Sequence, residues 1–199
     1  MRVDLRLIAD MVATGSRVLD IGCGDGALIA DLEARRGCDA RGLEIDMRLT
    51  SEAIARGLSV VQGDADSDLA HFPDDAFDYV VLSRTLQAVA RPREVLAQML
   101  RIGRRAVVSF PNFGHWPVRL HLLRHGRMPM TRAWSRQWYE TPNIHPCTIR
   151  DFFVLCGGEG YVIETWLAAD DMGNPMRGRR VGWANLLAEQ GVFLLRRAG

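Results

Sequence analysis

The chain has 199 residues, 48% of them apolar, enough for one globular domain with a sizeable core. A formal net charge of +1 argues against a general polyanion binder, which needs an excess of basic residues over its footprint. Four cysteines (Cys23, Cys38, Cys147, Cys156) show neither a CxxC pair nor ligand spacing, so no disulfide framework and no metal site is expected, and the chain reads as cytoplasmic. The N-terminus, "MRVDLRLIADMV", is interrupted by Asp4 and Asp10, and no run approaches the length a membrane span requires.

In chain order, Leu5, Leu7, Ile8, Met11 and Val12 recur at helical spacing and predict a short amphipathic helix ending at "TGS". "RVLDI" then reads as a strand, "GCGDG" as a tight glycine turn and "ALIADLEARRG" as a helix. "ARGLEID" and "MRLTSEAIARG" form a second strand and helix. "LSVVQGDAD" is a third strand and, after the turn-forming "FPDDA", "FDYVVLS" a fourth. "PREVLAQMLRIG", with proline at a favourable first position, is a helix, and "RRAVVSF" a fifth strand. Strands alternating with helices predict a doubly wound α/β fold with a mostly parallel sheet, since parallel neighbours need crossovers.

After residue 111 that rhythm breaks for more than thirty residues, so residues 112–147 read as an insertion within a single domain spanning 1–199. At "TIRD" a Thr N-cap with Asp151 three residues on begins another helix. "YVIETWLA" and "GVFLLRR" are two further strands, joined by a connection rich in glycine, arginine and asparagine.

The chemistry concentrates at "VLDIGCGDG". Gly22, Gly24 and Gly26 follow the first strand where the backbone must turn sharply and approach a ligand. Glu44 ends the second strand, where a carboxylate accepts hydrogen bonds from ribose hydroxyls, and Asp64 follows the third. A dinucleotide seats its pyrophosphate on amides at a helix start, but Asp20 and Asp25 flank this turn and would repel a phosphate. They favour instead S-adenosylmethionine or S-adenosylhomocysteine, whose charged amino-acid end carries an ammonium.

The motifs "VLDIGCGDG", "GLEID", "QGDAD" and "FDYVVLS" resemble those of class I S-adenosylmethionine-dependent methyltransferases. The resemblance implies a Rossmann-like, seven-stranded sheet with the last strand antiparallel. It also implies that Gly22 and Gly24 pack against the methionine part with Asp20 near its ammonium. Glu44 would hold the ribose, Asp64 the adenine amino group with Ala65 beside it, and Ser83 would lie near the methyl group. Cys23 and Ile45 complete the expected lining, Cys23 as a small turn filler rather than a nucleophile.

A narrower resemblance, carried by "LSRTLQAV", "RIGRRAVVSFPNFGHWPVRL", "GRMPMT" and "WYETPNIHPCTIRDF", is to the MetW family of methionine-biosynthesis proteins. Arg84 departs from that family's pattern, where glutamine is usual. The resemblance implies a protein working with a homoserine O-acyltransferase, with an active small-molecule methyltransferase as the alternative. Candidate bases in the insertion are His115 and His145; their ordinary role would be to bond backbone and hold the segment as a lid. His121 and His125 lie four apart and lack a third metal ligand.

Charge is unevenly placed. No acidic residue lies between Val95 and Tyr139, a stretch with eight arginines, in which Trp116, Trp134, Trp138 and Tyr139 are interleaved with Arg119, Arg124, Arg127, Arg132 and Arg136. Such composition suits a protein interface over residues 112–139, or the insertion's own small core, better than nucleic acid or a membrane.

Overall fold

The computed structural model describes residues 2–131, 134, 136–170, 172, 174–176 and 180–198; Arg132 lies outside the described residues. Seven strands form one sheet: β1 (Arg17–Ile21), β2 (Asp39–Glu44), β3 (Val60–Gln62), β4 (Phe77–Ser83), β5 (Gly103–Pro111), β6 (Tyr161–Ala169) and β7 (Gln190–Arg197). Their spatial order is β3-β2-β1-β4-β5-β7-β6. The first five are parallel, and β7 runs antiparallel to both β5 and β6. The last strand is thus antiparallel, as expected, with β6 outermost and β7 inserted between it and the parallel strands.

Residues alternate between the two faces, as the pleat requires. On one side Leu19, Ile21, Val80, Leu82, Val108 and Phe110 join α4 (Pro92–Ile102) and α6 (Ile149–Glu159) in a core centred on Phe110, Phe152 and Phe193. On the other side Val18, Val81 and Val107 meet α1 (Val3–Met11) and α2 (Ala27–Arg36), and Ala53 of α3 (Met47–Ala55) joins them. Both faces are covered, so the central strands read as nearly continuous apolar runs.

The caps follow the local chemistry. Asp46 accepts the Arg48 and Leu49 amides at the start of α3, and Thr148 with Asp151 forms a reciprocal capping box on α6. Among the described residues two α-helices supplement the predicted set. One is α5 (Trp116–His125), within residues 112–147; the other is α7 (Val181–Leu187), within the connection between β6 and β7. The latter corrects the reading of that stretch as a plain connection. Among the described residues no helix is long and apolar enough to cross a membrane.

Candidate functional site

The strand order reverses at β1, which has β2 on one side and β4 on the other, so the carboxyl ends of these strands bound a crevice. Gly22 (φ +69°), Gly24 (φ +59°) and Gly26 (φ +76°) hold the turn that leaves β1 in a left-handed backbone. At Gly22 a Cβ would sit 2.5 Å from Thr85 Oγ1, so this position needs glycine both for its φ and for the close approach of the loop after β4.

Two cavities open here and meet at Gly22 and Thr85. The larger, about 590 Å³, is lined among others by Asp20, Cys23, Gly24, Glu44, Ser83 and Arg84. The smaller, about 170 Å³, lies between Ile45, Asp64 and Ala65 on one side and Ala88 and Val89 on the other. All nine residues expected to line a cofactor therefore border one or both cavities.

Asp20 is 2% exposed, and its Oδ1 has no hydrogen-bond partner. Burial pushes its carboxyl up to about 7, against a favourable influence from Arg2 and an unfavourable one from Glu44. A buried carboxylate oxygen bordering a cavity is a ready acceptor for a ligand cation. Glu44 is held rigidly, Oε2 accepting the Gly24 amide at 2.7 Å and Oε1 the Asp46 amide at 3.0 Å. Each oxygen retains acceptor capacity for a diol.

At the narrow cavity Asp64 Oδ1 accepts the Asp66 amide, and Asp66 in turn accepts the Ala90 and Arg91 amides. That chain of bonds ties the end of β3 to the loop carrying Ala88 and Val89, fixing the width of the slot. Ile45 is 63% exposed, an apolar surface suited to covering a flat ring. Cys23 is buried, and a Cβ on Gly42 would come 2.5 Å from its Sγ, so a small side chain fills the space under the turn. Its thiol is pushed well up by burial, with Asp20 and Glu44 adding to the effect, which keeps it protonated. Asp25 is exposed and accepts the Ala27 amide and the Arg56 guanidinium, so it supports the start of α2.

The site has a contribution that local sequence patterns do not reveal. Asp4 of α1 is 2% exposed and sits between Arg2 (3.4 Å) and Arg84 (3.5 Å). Ser83 Oγ donates to Asp4 and accepts from Arg2, and Arg84 donates to Gln190. Arg84 has φ +59°, an uncommon conformation for a residue other than glycine, and its amide donates to the Ser109 carbonyl. Ser83 is therefore fixed within a polar cluster that borders the larger cavity.

His115 and His145 border neither cavity. His145 is exposed, its ring Nε2 is 3.3 Å from the Ala90 carbonyl, and its amide, like that of Ile144, donates to the Gln87 carbonyl. Asn112 is 1% exposed and fully engaged: Nδ2 donates to the Asn185 and Ala188 carbonyls, while Oδ1 accepts the Gly114 and Ile149 amides. It knits the start of residues 112–147 to α6 and α7. The His121 and His125 rings lie 4.7 Å apart, and no group of three or more metal-ligating side chains occurs among the described residues.

The aromatic residues of this stretch divide. Trp134 is buried edge-on to Phe113, whereas Trp116, Trp138 and Tyr139 are exposed by 48%, 69% and 66%. Exposed Leu120, Leu123, Met128 and Met130 lie in the same stretch, so the surface is more apolar than the arginine count alone suggests.

A sheet of this order, with a glycine turn leaving β1 and acidic residues ending β1 and β2, defines the class I S-adenosylmethionine-dependent methyltransferase fold. A solved S-adenosylmethionine-dependent methyltransferase from Mesorhizobium loti matches at a TM-score of 0.71 and 17% identity, over 98% of each chain. The family model for methionine biosynthesis protein MetW matches residues 2–195, and the chain belongs to the MetW family. It is 38% identical, over 82% of its length, to a bifunctional methionine biosynthesis protein MetXA/MetW from Rhodopirellula baltica, of which the match covers 28%. A demethylmenaquinone methyltransferase from Renibacterium salmoninarum is 33% identical over 55% of this chain and 49% of its own length. The chain thus spans half or less of the length of these curated relatives.

Proposed function

We propose that this chain binds S-adenosylmethionine or S-adenosylhomocysteine and serves methionine biosynthesis as an accessory partner of homoserine O-acyltransferase. The observation that carries the ligand reading is Asp20, with its unpartnered buried oxygen, lining a cavity together with Glu44, next to the slot at Asp64 with which that cavity shares Gly22 and Thr85. Asp20 takes the ammonium, Glu44 the ribose diol and Asp64 the adenine amino group, with Ile45 and Ala65 against the ring. When bound, S-adenosylmethionine would supply an electrophilic methyl group. Support for the partner comes from the Rhodopirellula relative, whose name joins a MetXA and a MetW function in one polypeptide.

Residues 112–139 are the proposed contact surface. Their exposed tryptophans, leucines and methionines give apolar area, and Arg124, Arg127 and Arg136 give directional donors. Residues 112–147 act as a lid, latched to the loop after β4 through Gln87 and His145. In this reading His145 and His115 hold the segment and do not act as bases. Since methionine is one step from S-adenosylmethionine, occupancy of the site reports pathway output to the acyltransferase.

The deciding experiment assays a homoserine O-acyltransferase with and without this protein, with and without S-adenosylmethionine. Gly24→Asp is the cofactor-blind control: the position has open space, Asp is among the side chains that visit the left-handed region, at some strain, and it places a carboxylate at the cavity. Stimulation of the wild-type complex that is lost in the variant supports a sensor. No stimulation and no complex under any condition sinks the partnership. A second reading, an active small-molecule methyltransferase, is favoured by the curated relatives that are methyltransferases over about half of the chain. Release of S-adenosylhomocysteine with a defined acceptor would establish it.

A further inference from the structure

A third cavity, about 390 Å³, lies within residues 112–147 and shares no lining residue with the two at the sheet edge. Met128, Met130, Trp134, Trp138 and Ile144 give it apolar walls. Small-molecule sites have that size and that composition, a mostly apolar lining with a few placed polar groups.

Local bonds hold its walls. The Thr131 amide donates to the Trp134 carbonyl, and Thr131 Oγ1 accepts the Trp134 amide. The Gln137 carbonyl accepts the Glu140 and Thr141 amides, and Thr141 Oγ1 accepts the Asn143 amide. The Ile144 amide donates to the Gln87 carbonyl, which pins the far wall to the loop after β4.

The polar groups of the lining favour an acceptor that carries negative charge. Trp134 is 7% exposed, and its indole Nε1 is buried with no hydrogen-bond partner. A buried N–H without an acceptor is costly, and Trp134 borders the cavity, so an acceptor entering there is the group placed to meet it. Arg136 is the one charged residue of the described lining, with neither a hydrogen-bond nor an ion-pair partner among the described residues. A guanidinium matches a carboxylate in shape and charge, and no carboxylate on this lining competes for it.

We propose that this cavity binds a small carboxylic acid with an apolar body. Arg136 and the Trp134 indole N–H take the carboxylate, and Met128, Met130 and Trp138 receive the body. The inference is independent of the cofactor reading above.

The test titrates the wild-type protein, Trp134→Phe and Arg136→Gln with phenylbutyrate, with isocaproate and with the neutral phenylbutanol in a calorimeter. Heteronuclear NMR spectra follow the Trp134 indole N–H in parallel, assigned through its contact with the Phe113 ring. Both acids are expected to bind, to shift that signal and to lose roughly tenfold or more in affinity in each variant. Phenylbutanol should bind the wild type more weakly than phenylbutyrate and be indifferent to Arg136→Gln. Equal binding of acid and alcohol by the wild type overturns the carboxylate assignment. Binding that leaves the Trp134 signal unmoved, or that survives unchanged in both variants, places the acid elsewhere and overturns the site. So does a failure of both acids to bind at millimolar concentration. Arg136→Gln alters an exposed side chain and keeps the test decisive should Trp134→Phe not fold, which thermal melts report.

Discussion

Glu44 Oε2 accepts the amide of Gly24 at 2.7 Å, so the carboxylate that ends β2 is hydrogen-bonded into the glycine turn that leaves β1. One side chain thereby sets the turn and presents an acceptor to the cavity. Replacing it with alanine would strand two amides, those of Gly24 and Asp46. Glu44→Ala is expected to cost about 1–3 kcal/mol of stability in urea denaturation and to abolish nucleoside binding. Glu44→Gln, which keeps one carbonyl acceptor, should retain most of the stability and still bind weakly. Equal stability of all three proteins would show that these bonds do not support the turn.

Asp20 gives two pH effects of opposite sign. Its carboxyl is raised from an ordinary 3.8 to about 7 by burial, so the folded protein holds a proton that the unfolded chain releases. Stability of the ligand-free protein therefore falls as pH rises between these values, by up to about 4 kcal/mol. Ligand affinity moves the other way, because only ionised Asp20 attracts an ammonium, and binding weakens as pH drops through about 7. Asp20→Asn should melt higher than the wild type at about pH 8 and bind S-adenosylhomocysteine poorly at every pH. A variant that melts lower at that pH would contradict the burial cost.

Gly22 and Thr85 form a matched pair. Gly22→Ala places a methyl 2.5 Å from Thr85 Oγ1 on a backbone with φ +69°, with an expected loss of about 1–3 kcal/mol. Thr85→Ala in the same chain removes the clash but not the backbone strain. A double-mutant cycle should show partial rescue, and strict additivity would mean that the two residues do not meet.

Asn112 separates a support role from a catalytic one. Asn112→Ala leaves two buried amides and two buried carbonyls without partners, so a loss on the order of 3 kcal/mol is expected in denaturant melts. S-adenosylhomocysteine affinity of the fraction that remains folded should stay near wild type. Binding lost at undiminished stability would instead place Asn112 in the site.

The proposed partner surface makes its own forecast. Trp138→Ala and Arg127→Glu alter exposed side chains, so melting should stay within about 0.5 kcal/mol of the wild type. Capture of homoserine O-acyltransferase should weaken roughly tenfold or more for at least one of them. Unchanged capture by both would move the contact elsewhere on the chain.

The parts of the site legible in the sequence are those fixed by short-range chemistry. A strand, a glycine turn and acidic strand ends lie within a few residues of one another, so the positions of Asp20, Glu44 and Asp64 at the carboxyl edge of the sheet are legible in the sequence. The capping box at Thr148 was readable for the same reason. The Arg2, Asp4 and Arg84 cluster was not, because its bonds link residues about eighty apart in the chain. Nor was α7, whose seven residues include Gly182 and Asn185 and whose start has no side-chain cap, leaving tertiary packing of Ala184 to hold it. Asn112 stands at a strand end, and its saturation by four partners depends on α7 and on residue 149, both remote from it in sequence.

The placement of β7 has a consequence for assembly. It follows β6 in the chain yet lies inside it in the sheet, pairing on one edge with β5 and on the other with β6. During synthesis β6 emerges with no neighbour to pair with, and the parallel strands end in an open border at β5. Both ladders wait on residues 190–197, whichever edge β7 meets first. Until that moment the nascent protein exposes two strand edges that the finished sheet covers, which makes the interval before β7 docks the point at which chains in a crowded cell would most readily stick to one another.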